Sequence, residues 1–217
     1  MSQSKRIWGW FFYDWACQPF YTLMLTFFFA PYFATVAADY FVASGMEIEA
    51  SKAKAQTMWS ICLSASGLFI GISAPILGAI ADTSGRRMPW IYVFSIMLIV
   101  GALGTWVGVP DGSNLTLMLY FFALGYIGTE FALIFTNAQL TTLGDQNEIG
   151  KISGSGFGFG YLGGVFALAI ALLFLVEQPN GTTFMLGIEP LFGFLNPENM
   201  EGTRFVGPLA AIWFIVF

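Results

Sequence analysis

Four polar side chains interrupt long apolar stretches of this sequence at places where they could do chemistry. Asp14 and Gln18 lie one helical turn apart in the first stretch, and Glu130 and Asn137 lie two turns apart in the fourth. An ionisable side chain inside a membrane is costly and usually faces a cavity or a partner. We therefore interpret these four residues as candidates for binding a substrate or a coupling proton.

The two acids are predicted to lie at similar depths in their helices. Asp14 is roughly 12 Å from the inner start of the first predicted helix, and Glu130 is the deeper, roughly 15 Å from the inner end of the fourth. A second interpretation stays open for Asp14, in which it is hydrated near the surface or paired with Lys5 or Arg6.

A group of glycines and charged residues stands where the second apolar run ends. It consists of Gly78, Asp82, Gly85, Arg86 and Arg87. A carboxylate in the last turn of a helix, a glycine turn and two fixed positive charges suit a cytoplasmic connection between membrane helices. An ordinary positively charged loop would explain the two arginines, but it would explain neither the acid nor the glycine spacing. We therefore interpret the group as a specific motif.

The composition identifies the solvent in which this chain folds. Hydrophobic residues make up 57% of the sequence, charged residues make up 10%, and the mean hydropathy is +0.72. So little polar surface predicts an integral membrane protein with the lipid bilayer as its partner. The net charge of -5 without a basic stripe excludes nucleic acid. Histidine is absent and both cysteines lie in apolar runs, so we expect no disulfide, no metal and no cofactor.

Six apolar runs predict an all-α polytopic membrane protein. The predicted helices span about 7–38, 58–81, 89–109, 115–140, 153–176 and 203–217. The first is too long for a straight span and must tilt, bend near Pro19 or Pro31, or project beyond the bilayer. The polar segment 39–56 is predicted to be an outside loop with some helical character.

Positive charges predict the orientation of these helices in the membrane. One side of the predicted weave carries Lys5, Arg6, Arg86, Arg87 and Lys151, and the other carries Lys52, Lys54 and Arg204. The positive-inside rule then predicts a cytoplasmic amino terminus in the cell (inner) membrane, with 177–202 as an acidic outside loop. The sixth run reaches only about 22 Å, so we expect the chain to be a fragment.

A stripe of glycines opens the fifth predicted helix. Gly156, Gly160 and Gly164 recur every four residues and therefore share one helix face. A phosphate-binding loop would need a preceding strand and a lysine in register, and the sequence has neither. The stripe predicts close packing against another helix.

These motifs resemble those of the major facilitator superfamily, whose second loop has the pattern Gly-x-x-x-Asp-x-x-Gly-Arg-Arg/Lys. Further stretches resemble its vacuole-effluxer branch: Tyr13-Asp14-Trp15-Ala16, Pro75-x-x-Gly78-Ala79-Ile80-Ala81-Asp82 with Pro89-Trp90, Asn137-Ala138, Ile152-Ser153-Gly154 and Gly160-Tyr161-Leu162-Gly163-Gly164. The chain departs from the branch at Cys17-Gln18 and at Thr136.

The resemblance implies that 1–217 is the amino-terminal half of a two-halved bundle, with a truncated sixth helix and an absent carboxy-terminal half. It implies a secondary active transporter of small solutes by alternating access, with amino-acid efflux as the activity of related proteins and Asp82 as part of an inner gate. The alternative is a non-transporting membrane scaffold or assembly factor with the same fold. No pairing of a nucleophile with a base is evident, so we do not expect an enzyme.

Overall fold

The computed structural model describes residues 2–217, and the side chains of all of them except Ser84. This part of the chain is helical and contains no β-strand beyond an isolated bridge between Glu177 and Thr183. Its α-helices are α1 (Gln3–Pro19), α2 (Phe29–Ala43), α3 (Ile48–Ser84), α4 (Met88–Gly104), α5 (Leu115–Asn137), α6 (Gln146–Phe174), α7 (Glu201–Arg204) and α8 (Val206–Val216). A π-helix, Phe20–Phe27, joins α1 to α2, and short 3-10 turns follow α4 and α5 and occur in the last loop.

Five helical stretches are long and apolar enough to cross a membrane. They are Gln3–Ala43, Ile48–Thr83, Met88–Val107, Leu115–Thr142 and Gln146–Phe174. α8 adds a sixth apolar segment. The prediction of an all-α polytopic membrane protein is therefore confirmed.

The first spanning stretch is divided into three segments where the sequence predicted one helix. The hydrogen-bonding pattern changes to that of a π-helix at Phe20, directly after Pro19, which has no N–H to donate to the helix. Phe28 lies outside helical geometry, with φ -124° and ψ -56°, and separates the π-helix from α2. Pro31 falls in the first turn of α2, where a missing N–H costs little.

The polar segment 39–56, predicted as an outside loop, is mostly helical. α2 continues to Ala43 and α3 begins at Ile48. Glu47 caps α3 by accepting a hydrogen bond of 3.1 Å from the backbone N–H of Ala50, and an ion pair between Lys52 and Glu49 follows one turn later. These local contacts let a polar segment continue the membrane helix.

The fifth predicted span also begins earlier than the hydrophobic pattern indicated. α6 begins at Gln146, seven residues before the predicted start at 153. The backbone N–H of Asp145 donates to the carboxylate of Glu148 at 3.4 Å, which is half of a capping box. Caps made by polar residues, which a hydropathy pattern does not detect, therefore set this boundary.

The helices pack in pairs, with α4 against α5, α1 against α6, and α2 against α3. Gly101 of α4 lies against the backbone of Gly125 in α5, so that the two helices approach more closely than side chains would allow. A buried cluster of aromatic rings fills the space between α2, α3, α5 and the π-helix, and it includes Phe20, Phe29, Phe33, Trp59 and Phe122. This packing fixes the face of α5 that meets the π-helix and α2.

Candidate functional site

Asp14 is buried where α1 meets α6. Its residue is 4% exposed, and its Oδ2 atom has no hydrogen-bond partner. The side chain of Gln18, one turn further along α1, is also buried and interacts with the Asp14 carboxyl group. Arg6 instead donates to the backbone oxygen of Thr142 at 2.8 Å, and neither ion pair in the described part of the chain includes Asp14. Asp14 is therefore not paired with Lys5 or Arg6 in this structure, in contrast to the second interpretation of the sequence.

The glycine stripe of α6 faces α1 and the π-helix. A side-chain carbon at Gly156 would overlap Trp10, one at Gly160 would overlap Asp14, and one at Gly164 would overlap Thr22. Gly163, which the stripe does not include, lies against the backbone oxygen of Trp15. Small residues on α6 therefore let α1 pass with its polar side chains directly on the α6 backbone.

Glu130 lies on α5, half-buried, and a contact from the π-helix holds its carboxyl group. The hydroxyl group of Tyr21 donates a hydrogen bond of 2.9 Å to Glu130 Oε1. Tyr126, one turn before Glu130 on the same helix, interacts with the same carboxyl group. Neither tyrosine was predicted, although each stands at helical spacing from a predicted residue: Tyr21 from Gln18 and Tyr126 from Glu130.

The four predicted residues fall into two places. Asp14 and Gln18 face α6, whereas Glu130 and Asn137 lie on α5, with Asn137 half-buried as the last residue of that helix. The arrangement offers two separate carboxyl groups, one on α1 against α6 and one on α5 held by Tyr21, and each could carry a proton or meet a cation.

Both acids lie well inside membrane-spanning stretches. Asp14 lies about 16 Å along the axis from the start of the stretch Gln3–Ala43, and Glu130 lies about 18 Å from the end of the stretch Leu115–Thr142. The two acids therefore stand at similar distances from the ends of their stretches.

The motif after the second span forms an ion pair at the end of α3. Arg87 donates to Asp82 Oδ1 at 2.7 Å from Nη2 and at 3.1 Å from Nε, and its Nη1 donates to the backbone oxygen of Ala138 at 2.8 Å. Gly85 ends α3 with a left-handed φ of 64°, which glycine adopts without steric cost. Arg86 is exposed beside the pair, and Gly78 lies two turns before Gly85 on α3. Arg87 therefore ties this connection to the end of α5.

A cavity of about 700 Å³ lies at the same end of the molecule, between α1, α4, α5 and α8. Tyr13 and Ser95 share a hydrogen bond of 2.8 Å in its wall, and Lys5 and Arg6 stand among its lining residues. None of the four predicted site residues lines this cavity. The cavity was not predicted from the sequence, because its walls are ordinary apolar helix faces that only packing brings together.

A cluster of charged residues lies at the opposite end, where the last loop returns to the helices. Arg204 is 7% exposed, and its guanidinium carbon stands 4.5 Å from the ring centre of Trp106, whose backbone oxygen accepts from Nη2 at 2.7 Å. Glu177 accepts a hydrogen bond of 3.0 Å from the backbone N–H of Thr203, and burial raises the pKa of its carboxyl group. This cluster fastens the loop after α6 to the end of α4.

One curated protein provides a comparison for the fold and these sites. The uncharacterized MFS-type transporter YxiO of Bacillus subtilis (strain 168) is 27% identical to this chain over 176 residues. The match covers 80% of the chain and 39% of the relative, so the chain spans about two fifths of the relative's length. No protein-family model matches the chain, and no solved structure matches it. The polytopic all-α membrane fold, together with a transporter relative that matches four-fifths of the chain, supports membership of this protein in the major facilitator superfamily of membrane transporters.

Proposed function

We propose that residues 1–217 form the amino-terminal, six-helix half of a secondary transporter that moves small solutes by alternating access. The relative is an MFS-type transporter more than twice as long as the matched region, which supports a second half beyond this one. The motifs that resemble the vacuole-effluxer branch favour amino acids as substrates. A transporter needs no catalytic group of its own, so the proposal includes no enzymatic step.

The observation that carries this proposal is the place of Glu130. Its carboxyl group is half-buried on α5 within a membrane-spanning stretch, and Tyr21 holds it from the π-helix. A carboxylate at this depth costs free energy unless a proton or a cation neutralises it. Glu130 is therefore proposed as a group that binds the substrate or the coupling proton, together with Asp14 and Gln18 on the face of α1 that meets α6 and Asn137 at the end of α5.

We also propose that the end of the bundle that carries Asp82, Arg86 and Arg87 lies in the cytoplasm, together with the start of α1 and the end of α5. Three side chains bind the backbone that follows α5: Gln3 reaches Leu143 O at 3.0 Å, Arg6 reaches Thr142 O, and Arg87 reaches Ala138 O. These contacts group positive charges at one end of the bundle, as the positive-inside rule expects for the cytoplasmic side of a cell membrane. In the whole protein Asp82 would then form part of the inner gate.

The full-length protein in liposomes tests the proposal. A panel of radiolabelled amino acids is offered with and without an imposed pH gradient, and uptake is compared between wild type and Glu130→Gln. We expect the substitution either to abolish pH-driven accumulation while exchange persists, if Glu130 carries protons, or to weaken substrate binding itself, if Glu130 meets a cationic group. Glu198→Gln, which changes an exposed acid of the last loop, is the matched control and should transport normally.

Two outcomes would contradict the proposal. Normal uptake kinetics and pH dependence in folded Glu130→Gln would remove Glu130 from the mechanism. An absence of uptake across the panel by folded wild-type protein, under either gradient, would contradict amino-acid transport.

A further inference from the structure

We infer that Tyr21, Glu130 and Tyr126 form a subsite for the primary ammonium group of a substrate. The inference rests on the proposed transport function and gives it a chemical class of substrate. Below, these three residues are called the ammonium subsite. They come from two elements, the π-helix and α5, and all three side chains are half-buried, so that each keeps some accessible surface.

The carboxyl group of Glu130 is the acidic part of the ammonium subsite. The ion pairs in the described part of the chain join Lys52 to Glu49 and Arg87 to Asp82, and neither reaches Glu130. Tyr21 uses one acceptor position on Oε1 and Tyr126 interacts with the same carboxyl group, whereas a carboxylate offers about four acceptor positions across its two oxygens. The carboxylate therefore has capacity for further N–H donors and no cation of the described chain to supply them.

The ring of Tyr126 is the aromatic part of the ammonium subsite. An ammonium group is attracted to the face of an aromatic ring within about 6 Å of its centre. The ring of Tyr126 is stacked on that of Phe122, with centres 6.0 Å apart and planes at 10°, and Phe122 is itself stacked on Phe20 and Phe29. Packing on Phe122 therefore holds the Tyr126 ring in place, one turn from Glu130 on the same helix, before any ligand arrives.

Tyr21 reaches the ammonium subsite from the π-helix. α-Helical geometry ends at Pro19, and Tyr21 is the second residue of the π-helical segment that follows. Such segments are rare and occur frequently at functional sites. Here the segment carries the side chain that reaches across to α5, and the side chain of Thr26 donates to the Tyr21 backbone oxygen at 2.9 Å. The local winding thus holds the hydroxyl group that orients Glu130.

These features favour an ammonium group over other ligands. A substrate carboxylate or phosphate would be repelled by Glu130, and a neutral alcohol would gain neither the charge-assisted hydrogen bond nor the attraction to the ring face. A primary ammonium group offers three N–H donors on a compact charge, enough to meet the carboxylate while it contacts the tyrosine ring.

The experiment measures binding of ethylammonium, with ethanol as the neutral control, to the full-length protein in detergent by saturation-transfer NMR. We expect binding of ethylammonium and no comparable binding of ethanol. Glu130→Gln, whose amide oxygen can still accept from Tyr21, should weaken ethylammonium binding by about tenfold or more. Tyr126→Leu should weaken it by about 3- to 30-fold, because the aromatic face is lost. Tyr126→Phe keeps that face and loses only the hydroxyl group, so it should bind ethylammonium more tightly than Tyr126→Leu does.

Equal binding of ethylammonium and ethanol by wild type would overturn the subsite, as would unchanged affinity in Glu130→Gln. If Glu130→Gln does not fold, the comparison of Tyr126→Leu with Tyr126→Phe decides, because equal affinities in these two variants would also overturn it. The results distinguish the subsite from the proposed function. Transport of solutes without Glu130-dependent ethylammonium binding would support the function and contradict the subsite. Ethylammonium binding without any transport would support the subsite and contradict the function.

Discussion

The carboxyl group of Asp14 occupies the space beside Gly160 that a side chain at that position would need. The contact places a buried acid directly on the backbone of a neighbouring helix, with its Oδ2 atom unpartnered. Trp10 and Thr22 make equivalent contacts at Gly156 and Gly164, each one turn from Gly160 on α6. The position of Asp14 and the packing of α1 on α6 therefore depend on the same three glycines.

Replacement of Gly160 tests this dependence. Gly160→Leu should destabilise the fold by about 1–3 kcal/mol or more, because the new side chain forces α1 away from α6. Gly158→Leu is the matched control, since Gly158 is exposed on the same helix and has open space around it. Folded yield and thermal unfolding in detergent measure the effect. Equal yields and melting temperatures for the two variants would show that the α1–α6 contact does not need a glycine at 160.

Breaking the ion pair between Asp82 and Arg87 should shift the protein between gate states with little loss of stability. Asp82 is 62% exposed in its side chain, so the ion pair contributes less than about 1 kcal/mol to folding. Asp82→Asn should therefore fold normally. If the pair helps to close the inner gate, the variant should raise the reactivity of a reporter cysteine at Asn137 towards cytoplasmic reagents by up to about fivefold.

The full-length protein in a background without native cysteines is used for this measurement. Asp39→Asn makes the same change of charge at the opposite end of the bundle and should leave the reactivity of the reporter unchanged. Unchanged reactivity in Asp82→Asn together with lost substrate binding would place Asp82 in the binding site and not in the gate.

The proposed orientation predicts opposite labelling of two exposed positions. A membrane-impermeant thiol reagent added outside intact cells should modify a cysteine at Asn180, in the loop after α6, and should not modify one at Thr83, near the end of α3. Thr83 is preferred to Gly85, because the left-handed φ at Gly85 would strain a cysteine. Permeabilised cells should label at both positions, which controls for reactivity. The reverse pattern in intact cells would invert the topology.

Glu177 predicts a pH dependence of stability with a defined sign. Burial raises the pKa of its carboxyl group in the folded state, while Arg204 and the Thr203 N–H oppose that shift in part. Because the folded state binds this proton more tightly than the unfolded state, the contribution to stability is fully present below the ordinary pKa of 4.5. It is lost as the pH rises through the raised pKa of the folded state.

Thermal unfolding in detergent of wild type and Glu177→Gln, between about pH 4 and about pH 7, isolates this contribution. The variant should gain stability relative to wild type as the pH rises, since its amide carries no charge to bury and can still accept from Thr203. Glu198→Gln, an exposed acid of the same loop, should follow wild type in parallel. A constant difference between Glu177→Gln and wild type would show that Glu177 does not titrate differently on folding.

The sequence by itself determined the solvent, the number of apolar spans and the family resemblance. The reason is that backbone groups in lipid must pair within their own helix, so that each span leaves a long apolar run in the sequence. Residues with fixed local roles were also recognised without the fold. Gly85 ends a helix, Asp82 and Arg87 stand within five residues of each other, and the spacing of Gly156, Gly160 and Gly164 selects one helix face.

The tertiary structure decided which faces meet. Asp14 and Glu130 looked alike in the sequence as single acids in apolar runs, but one lies against the backbone of α6 and the other is held by Tyr21. The partner residues are far from these acids along the chain, and in lipid an apolar face is no guide to what covers it. The π-helix that carries Tyr21 was equally hidden, because its residues are as apolar as those of an α-helix. Contacts between distant helices depend on packing shape and hydrogen-bond geometry, which a hydropathy pattern does not contain.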